Sequence, residues 1–591
     1  MRPGPNPAGV VRWRYGVGEG RGNWDTMIDW FLAGLRSNPE LALFLAIGLG
    51  FWIGSRKIAG FSLGGVTGSL LAALLVGQAH VEVPGQVKSV LFMLFLFGTG
   101  YSVGPQFFRS LKGDGLRALV FTLVHCIAAL GVAYAMARLL GLDLGMSAGL
   151  LSGGLTHSAA IGTASEMIMT LPSSMTEAER QTLVNHVAVA DALTYVFGVI
   201  GPIWFLNSLV PRLLRIDLKQ EAAALEARLG IKRVAPNVTS AYQQFVFRAH
   251  RVEADAYVGK RAAELEGLQP GGRMFVERLR RGERILAVDP DTRIERGDVL
   301  SLHGRRELVL EVGPQIGPEV DDRELLDFPV EIARVIVTNR DVTRRSFGEL
   351  ASWPPSRGVG VRRVVRSGKD IPVSVATTLD RGDVMELIGP KPSIERAVRE
   401  IGQVEVPTDS TNLILVALAI VAGAFIGLPY VMLGTLKLSL STSVGVLVAG
   451  LFFGWLYSVK PLIGKIPDAS INLMSQLGLA GFVAVVGLHA GPVFLDAVRE
   501  TGPRLLLGGV VVTLVPLFIA FAFGHYVLRM APILLIGAIA GTQTLTPALV
   551  AVQEKADSQT PVLGYTVPYA LANILLTMWG GILVMLRVQF G

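Results

Sequence analysis

Two short stretches concentrate the side chains able to bind a small polar solute. Ser152-Gly-Gly-Leu-Thr156-His157-Ser158 and Gly541-Thr542-Gln543-Thr544-Leu-Thr546-Pro547 set hydroxyls and glycines inside otherwise apolar segments, Gly145–Glu166 and Leu535–Glu554. Glycine permits a tight turn, and a hydroxyl can donate to an anion. Pro547 suits the first turn of a helix. The second stretch is therefore expected to aim backbone N–H groups and the positive end of a helix dipole at a bound carboxylate. Ser152, Gly153, Thr156, His157, Ser158, Gly541, Thr542, Thr544, Thr546 and Pro547 are the candidate substrate-binding residues. The competing use of the same residue types is close helix packing within a bilayer.

Few ionisable groups accompany them. Asp191 lies in the apolar run VAVADALTYVFG. A carboxylate at membrane depth is costly and is a functional candidate by default. It could couple H⁺ or Na⁺ or orient a substrate amine; a packed or interfacial polar residue is the alternative. Asn573 stands near the corresponding place in the second half and joins the candidates. Glu166 and Glu554 are expected to cap or solvate the ends of the two segments, and Lys437 could serve a carboxylate by folding inward. His125, His489 and His525 are scattered singly, and Cys126 is the one cysteine. No metal site, disulfide framework or enzymatic nucleophile–base pair is indicated.

The elements that must position these residues are membrane helices. Of the 591 residues 51% are hydrophobic and 17% charged, with mean hydropathy +0.49; soluble domains carry about 25% charge. Between Arg212 and Asp409 lie 33 of the 54 Lys+Arg and 31 of the 47 Asp+Glu, so the flanks suit hydrocarbon and the middle suits water. The net charge of +7 then reads as loop bias and excludes a nucleic-acid footprint. Apolar runs near the ~20-residue spanning length fall near residues 40–55, 61–78, 89–108, 116–140 and 186–210, and again near 411–428, 438–457, 472–490, 504–527 and 564–586.

The two flanks repeat one another. Ser62-Leu63 and Gly68–Gly77 match Ser439-Leu440 and Gly445–Gly454, and Gly100, Gly104-Pro105 and Phe107 match Gly487, Gly491-Pro492 and Phe494. Gly149, Gly153, Thr156 and Glu166 fall on Gly537, Gly541, Thr544 and Glu554 at one constant offset. Three ordered blocks are more than chance likeness of apolar segments. Arg56-Lys57, Arg109/Lys112/Arg117 and Arg212/Arg215/Lys219 share one side only if the first half has five spans. Each Gly/Ser/Thr segment then enters and leaves on one face, as a re-entrant or broken helix lining a site. An odd number of spans inverts the second half, with Lys460, Lys465 and Arg529 inside and Asp496–Arg504 outside.

The middle is itself duplicated. Alternating runs (FVFRAHRV, RILAV, VLSLHG; ARVIVTN, VRRVVRSG, VMELIG) read as strands, and Arg296-Gly297-Asp298 through Gly304 matches Arg381-Gly382-Asp383 through Gly389. Each Asp reads as a turn device. The expected plan is a disordered or interfacial extension (1–36, its first 26 residues unstructured), membrane repeat one (37–211) and a linker (212–244) with a polar helix at Lys219–Leu229. Two small α/β modules (245–312 and 328–401) follow, separated by 313–327, before membrane repeat two (411–588).

The blocks Ser62-Leu63…Gly68…Gly77, Gly104-Pro105, Gly153…Thr156 and Gly541…Thr544-Leu-Thr546-Pro547 resemble the aspartate–alanine exchanger family, as does the opening MIDWFLAGLRSNPELALFLAIGLGFWIG. The middle modules resemble the TrkA-C (RCK-C) regulatory domain of K⁺-uptake and K⁺-channel proteins. Together the resemblance covers nearly the whole chain after residue 26. It implies a multi-pass protein of a bacterial inner membrane with cytoplasmic modules. It also implies an outside N- and C-terminus and electrogenic aspartate-for-alanine exchange in the best-known member. For this chain antiport of acidic amino acids or small carboxylates, a homodimer and a small regulatory ligand at the modules are expected. The middle lacks a GxGxxG loop, so no nucleotide cofactor is expected. A cation transporter or channel gated by the modules is the alternative, against which stands the absence of a filter sequence such as TVGYG.

Overall fold

The structure, a computed structural model, describes residues 23–58, 61–62, 64–110, 115–171, 175–229, 245–266, 274–343, 345–366, 369–405, 411–433, 436–439, 441–460 and 466–590. Leu63, Lys112, Leu440, Lys465, residues 1–22 of the extension, residues 230–244 of the linker and the side chains of Lys57, Arg109 and Lys437 lie outside that description.

The first flank folds into α1 (Asn23–Ser37), α2 (Pro39–Gly54), α3 (Gly65–Gly77), α4 (Gly85–Ser110), α5 (Gly115–Leu139), α6 (Leu144–Gly154), α7 (Ala159–Met169) and α8 (Glu177–Trp204). A π turn and a last helical turn carry α8 on to Leu214, and the polar helix α9 (Leu218–Leu229) follows. Helix α1 begins at Asn23, four residues inside the stretch expected to lack structure, and meets α2 at 107°.

The second flank supplies α12 (Leu413–Gly427), α13 (Thr442–Val459), α14 (Asp468–Ala522, continued by a π turn to Val527), α15 (Pro532–Thr542), α16 (Thr546–Ala556) and α17 (Pro561–Phe590). Packing follows the repeat. Helix α3 lies on α2 and on α14, while α13 lies on α12 and on α4. Each half also has a two-stranded hairpin, Lys57–Ile58 with Phe61–Ser62 between α2 and α3 and Tyr430–Leu433 with Leu436–Ser439 between α12 and α13.

Six helices among the described residues are long and apolar enough to cross a bilayer, or seven if the bent α1–α2 pair counts as one. Ten such spans were expected. Helices α2, α3 and α12 have only 16, 13 and 15 residues. At 1.5 Å per residue these fall short of the ~30 Å hydrocarbon layer. The runs 472–490 and 504–527 form the single helix α14, continuous through the expected loop Asp496–Arg504. There an Asp496–Arg499 pair one turn apart and a Thr501 hydroxyl bonded to the Ala497 carbonyl (2.8 Å) satisfy polar groups without breaking the helix.

The middle contains two small antiparallel sheets. Strands β1 (Phe245–Arg251), β2 (Met274–Arg281), β3 (Arg284–Ala287) and β4 (Val299–Arg305) order as β1-β4-β2-β3. Strands β5 (Val330–Val337), β6 (Gly360–Arg366), β7 (Lys369–Ile371), β8 (Val384–Pro390) and β9 (Gly402–Val404) order as β9-β5-β8-β6-β7, the same plan with one added edge strand. Helices α10 (Arg306–Ile316) and α11 (Lys391–Ile401) follow the matching strands β4 and β8.

The repeated Asp does more than turn the chain. Arg281 grips Asp298 through Nε (3.0 Å) and Nη2 (2.8 Å), and Arg366 grips Asp383 likewise (2.9 and 2.6 Å). Gly297 and Gly382 occupy the left-handed region beside them (φ 86° and 89°). The Asp383 side chain is fully buried and that of Arg366 is 14% exposed. Removing one partner of such a pair leaves an uncompensated charge at a cost of about 3 kcal/mol. Asp383→Ala is therefore expected to speed proteolytic cleavage within residues 328–401 of the full-length protein. Unaltered protease resistance would mean that the clasp does not hold the module. In the first module, burial pushes the His303 imidazole down to about 3. It stays neutral between the rings of Phe247 and Phe275.

Candidate functional site

Each Gly/Ser/Thr segment is a helical hairpin whose first arm runs alongside a long helix. Gly145, Gly149 and Gly153 of α6 face Leu183, Val187 and Asp191 of α8 in turn. A Cβ at Gly149 or Gly153 would collide with the carbonyl oxygen of Val187 or of Asp191. Gly537 and Gly541 of α15 meet Pro561 and Tyr565 of α17 in the same manner. For Gly153 and Gly541, close helix packing accounts for the residue type. The second arms fold back. Helix α7 returns to a carboxylate contact between Glu166 and Ser443 at the start of α13, and α16 returns to Lys555, whose ammonium donates to the Asn207 carbonyl (2.5 Å) beyond α8.

The hairpin tips meet. Thr156 and Thr544, at matched positions, both adopt the left-handed conformation (φ 54° and 51°), which costs a β-branched residue on the order of 1–2 kcal/mol. The Thr156 hydroxyl donates to the Leu155 carbonyl (2.7 Å) and across to the Gln543 carbonyl (3.3 Å). His157 Nδ1 bonds the Thr544 hydroxyl (3.1 Å), and its Nε2 bonds that of Thr577 on α17 (2.9 Å). Ser158 precedes α7 and Leu545 precedes α16, and neither side chain caps its helix. Ala160, Ile161 and Ala548 already donate to the His157, Ser158 and Leu545 carbonyls and Pro547 has no N–H, so the first-turn N–H groups left at the junction are those of Ser158, Ala159 and Thr546, at the helix end that attracts an anion. Pro547 stands in the first turn of α16 as expected, exposed.

The remaining candidates divide. Asp191 is fully buried. One of its carboxylate oxygens accepts the Ser152 hydroxyl (2.6 Å), and the other has no hydrogen-bond partner. Thr542 bonds back to the Ile539 carbonyl within its own helix (2.9 Å), and Thr546 bonds the Tyr565 hydroxyl (3.1 Å). Asn573 donates to the Tyr569 carbonyl one turn back (2.8 Å). The register of α17 against α15 puts Tyr565, not Asn573, where α8 has Asp191. His125 and His489 are held by the Pro516 carbonyl and the Val83 amide, and His525 stacks on Phe521. Among the described residues no cluster of His, Cys, Asp or Glu could hold a metal.

Two participants were not foreseen. Thr577 ties α17 to both His157 and Thr163, whose hydroxyl donates to the Thr577 carbonyl (2.5 Å). Gln543 is fully buried at the second tip, and both ends of its side-chain amide lack hydrogen-bond partners. A buried amide so placed costs about 1–3 kcal/mol unless it finds a partner. An amide in the middle of an apolar segment was the signal in the sequence.

A family model described as a predicted permease membrane region matches residues 42–211 and again 415–585. The chain is 45% identical over 518 residues to an uncharacterized transporter of Bradyrhizobium diazoefficiens, covering 87% of this chain and 100% of that one. Similar proteins in Shewanella oneidensis (36% over 564 residues, 95% and 100% covered) and Bordetella bronchiseptica (39% over 558 residues, 93% and 97% covered) are likewise named uncharacterized transporters. No solved structure matches the chain.

Proposed function

The chain belongs to this predicted-permease family, whose membrane region it carries twice, and on that premise we propose that it is a secondary active antiporter of acidic amino acids or other small carboxylates. The observation that carries the proposal is the meeting of two matched hairpin tips, each with a left-handed threonine and an uncapped helix N-terminus. One carboxylate can be held there by backbone N–H groups and hydroxyls without a buried Lys or Arg. Hairpins whose bases lie on opposite faces are what inverted repeats produce, and they give the solute one site with two exits. Each hairpin is then a re-entrant segment. The two sheet modules are read as TrkA-C-like regulatory domains on the cytoplasmic side of a bacterial inner membrane, open to a small ligand, in a protein that functions as a homodimer.

In proteoliposomes, uptake of labelled aspartate or another carboxylate is expected only when unlabelled counter-substrate is loaded inside. Screening amino acids and dicarboxylates as internal counter-substrates would identify the cargo. Uptake indifferent to the internal solute, or currents of channel size, would replace the exchanger by a gated cation pathway.

A further inference from the structure

The two hairpins are related by the repeat, yet their second arms sit in different surroundings. Ser158 and Ala159 at the head of α7 are buried, whereas their mates Thr546 and Pro547 on α16 are half-buried and exposed. Gly162 lies against the ring of Phe92, whereas its mate Val550 is 44% exposed. At the far end Glu166 receives a hydrogen bond from the Ser443 hydroxyl at the start of α13, whereas Glu554 is exposed.

These ends lie on opposite faces. Arg381 of the second sheet module donates to the Val459 carbonyl at the end of α13 (3.3 Å). The Ser558 hydroxyl, just past α16, donates to Glu226 of α9 (2.5 Å). The end of α16 therefore lies on the side of the sheet modules. The start of α13, where Glu166 docks, is 18 residues or about 27 Å away along that helix.

We infer that Glu166 docked on Ser443 is the closed gate on the face remote from the sheet modules, and that the structure is the state open toward the modules. In the opposite state Glu554 docks at the start of α3, the repeat mate of α13, whose N-cap Gly64 offers no side-chain cap and leaves its N–H groups free for a carboxylate. This rests on reading the hairpins as two gates of one site, but not on the cargo.

Cysteine labelling in Cys126→Ser protein, with a membrane-impermeant maleimide and no substrate present, tests the gate separately from exchange. Ser165→Cys, buried on α7, is expected to label slowly from the remote face, and Val550→Cys quickly from the module face. Adding Ser443→Ala removes the hydroxyl that holds the Glu166 carboxyl group. It should raise the Ser165→Cys rate about tenfold or more and lower the Val550→Cys rate, and Ser443→Thr should restore both. No change at either position, or a rise at both, would overturn the gate. A failed counterflow assay with this labelling pattern intact would reject the cargo and leave the gate standing.

Discussion

Alanine at both Thr156 and Thr544 is expected to abolish substrate exchange while the protein still inserts and purifies as a folded species. These are the residues through which the two hairpins touch, Thr156 reaching the Gln543 carbonyl and Thr544 meeting His157. Both sit at positive φ, where a residue other than glycine or asparagine is uncommon. Strain of that kind persists where the surrounding structure over-determines it, and it clusters at ligand clamps. Alanine keeps the Cβ, and so most of the backbone preference, but removes the hydroxyl. The single changes should each cost one hydrogen bond at the tip, about 1 kcal/mol, and slow exchange several-fold. The double change leaves His157 with Thr577 alone and frees the Gln543 carbonyl. Thr→Gly at both positions separates conformation from chemistry, since glycine relieves the backbone but also lacks the hydroxyl. It should be as inactive as alanine and more heat-stable. Full counterflow in the double alanine protein would reduce both tips to packing.

The matched threonines were legible because the offset between the halves stays constant from Gly149 to Glu166, and a repeat of that kind marks equal positions in equal hairpins. The next helix was not legible in the same way. Val187, opposite Gly149, comes 38 residues later, whereas Pro561, opposite Gly537, comes only 24 later. Helix α8 carries extra turns before its contact with α6, so the constant offset fails there, and the mate of Asp191 is Tyr565 and not the polar residue Asn573. Length misled elsewhere. The polar stretch Asp496–Arg504 has the composition of a loop, but composition does not distinguish a loop from a solvated helical turn. The Asp of each Arg-Gly-Asp turn was visible, while its partners Arg281 and Arg366 were not, because the clasp joins strands 17 residues apart. The asymmetry of the two hairpins could not be read from sequence at all. It is a property of one conformational state, and two segments related by a repeat say nothing about which of two states is occupied.

Asp191→Asn is expected to lower exchange by about 100-fold or more with insertion and folding retained. Asparagine has nearly the same volume and can still accept the Ser152 hydroxyl, so the α6–α8 seam keeps its packing and its one polar bond. What is lost is the capacity to carry negative charge. A carboxyl group with one oxygen unpartnered and no exposure is a costly choice for a seam that Val187, Ala188 and Ala190 otherwise fill. Its retention is explained if a cation meets it during the cycle, either the ammonium group of an amino acid or a coupling ion. The two cases separate in one experiment. If the partner is the substrate amine, wild-type protein should prefer alanine to propionate as counter-substrate, and Asp191→Asn should erase that preference. If the partner is H⁺ or Na⁺, the preference should survive, and the dependence of uphill uptake on the ion gradient should disappear. An Asp191→Asn protein that exchanges at the wild-type rate, with the same substrate preference and the same gradient dependence, would make the carboxyl group a packed polar residue. The chemistry would then rest on the two hairpin tips alone, where the buried Gln543 amide lacks a hydrogen-bond partner and can meet a solute.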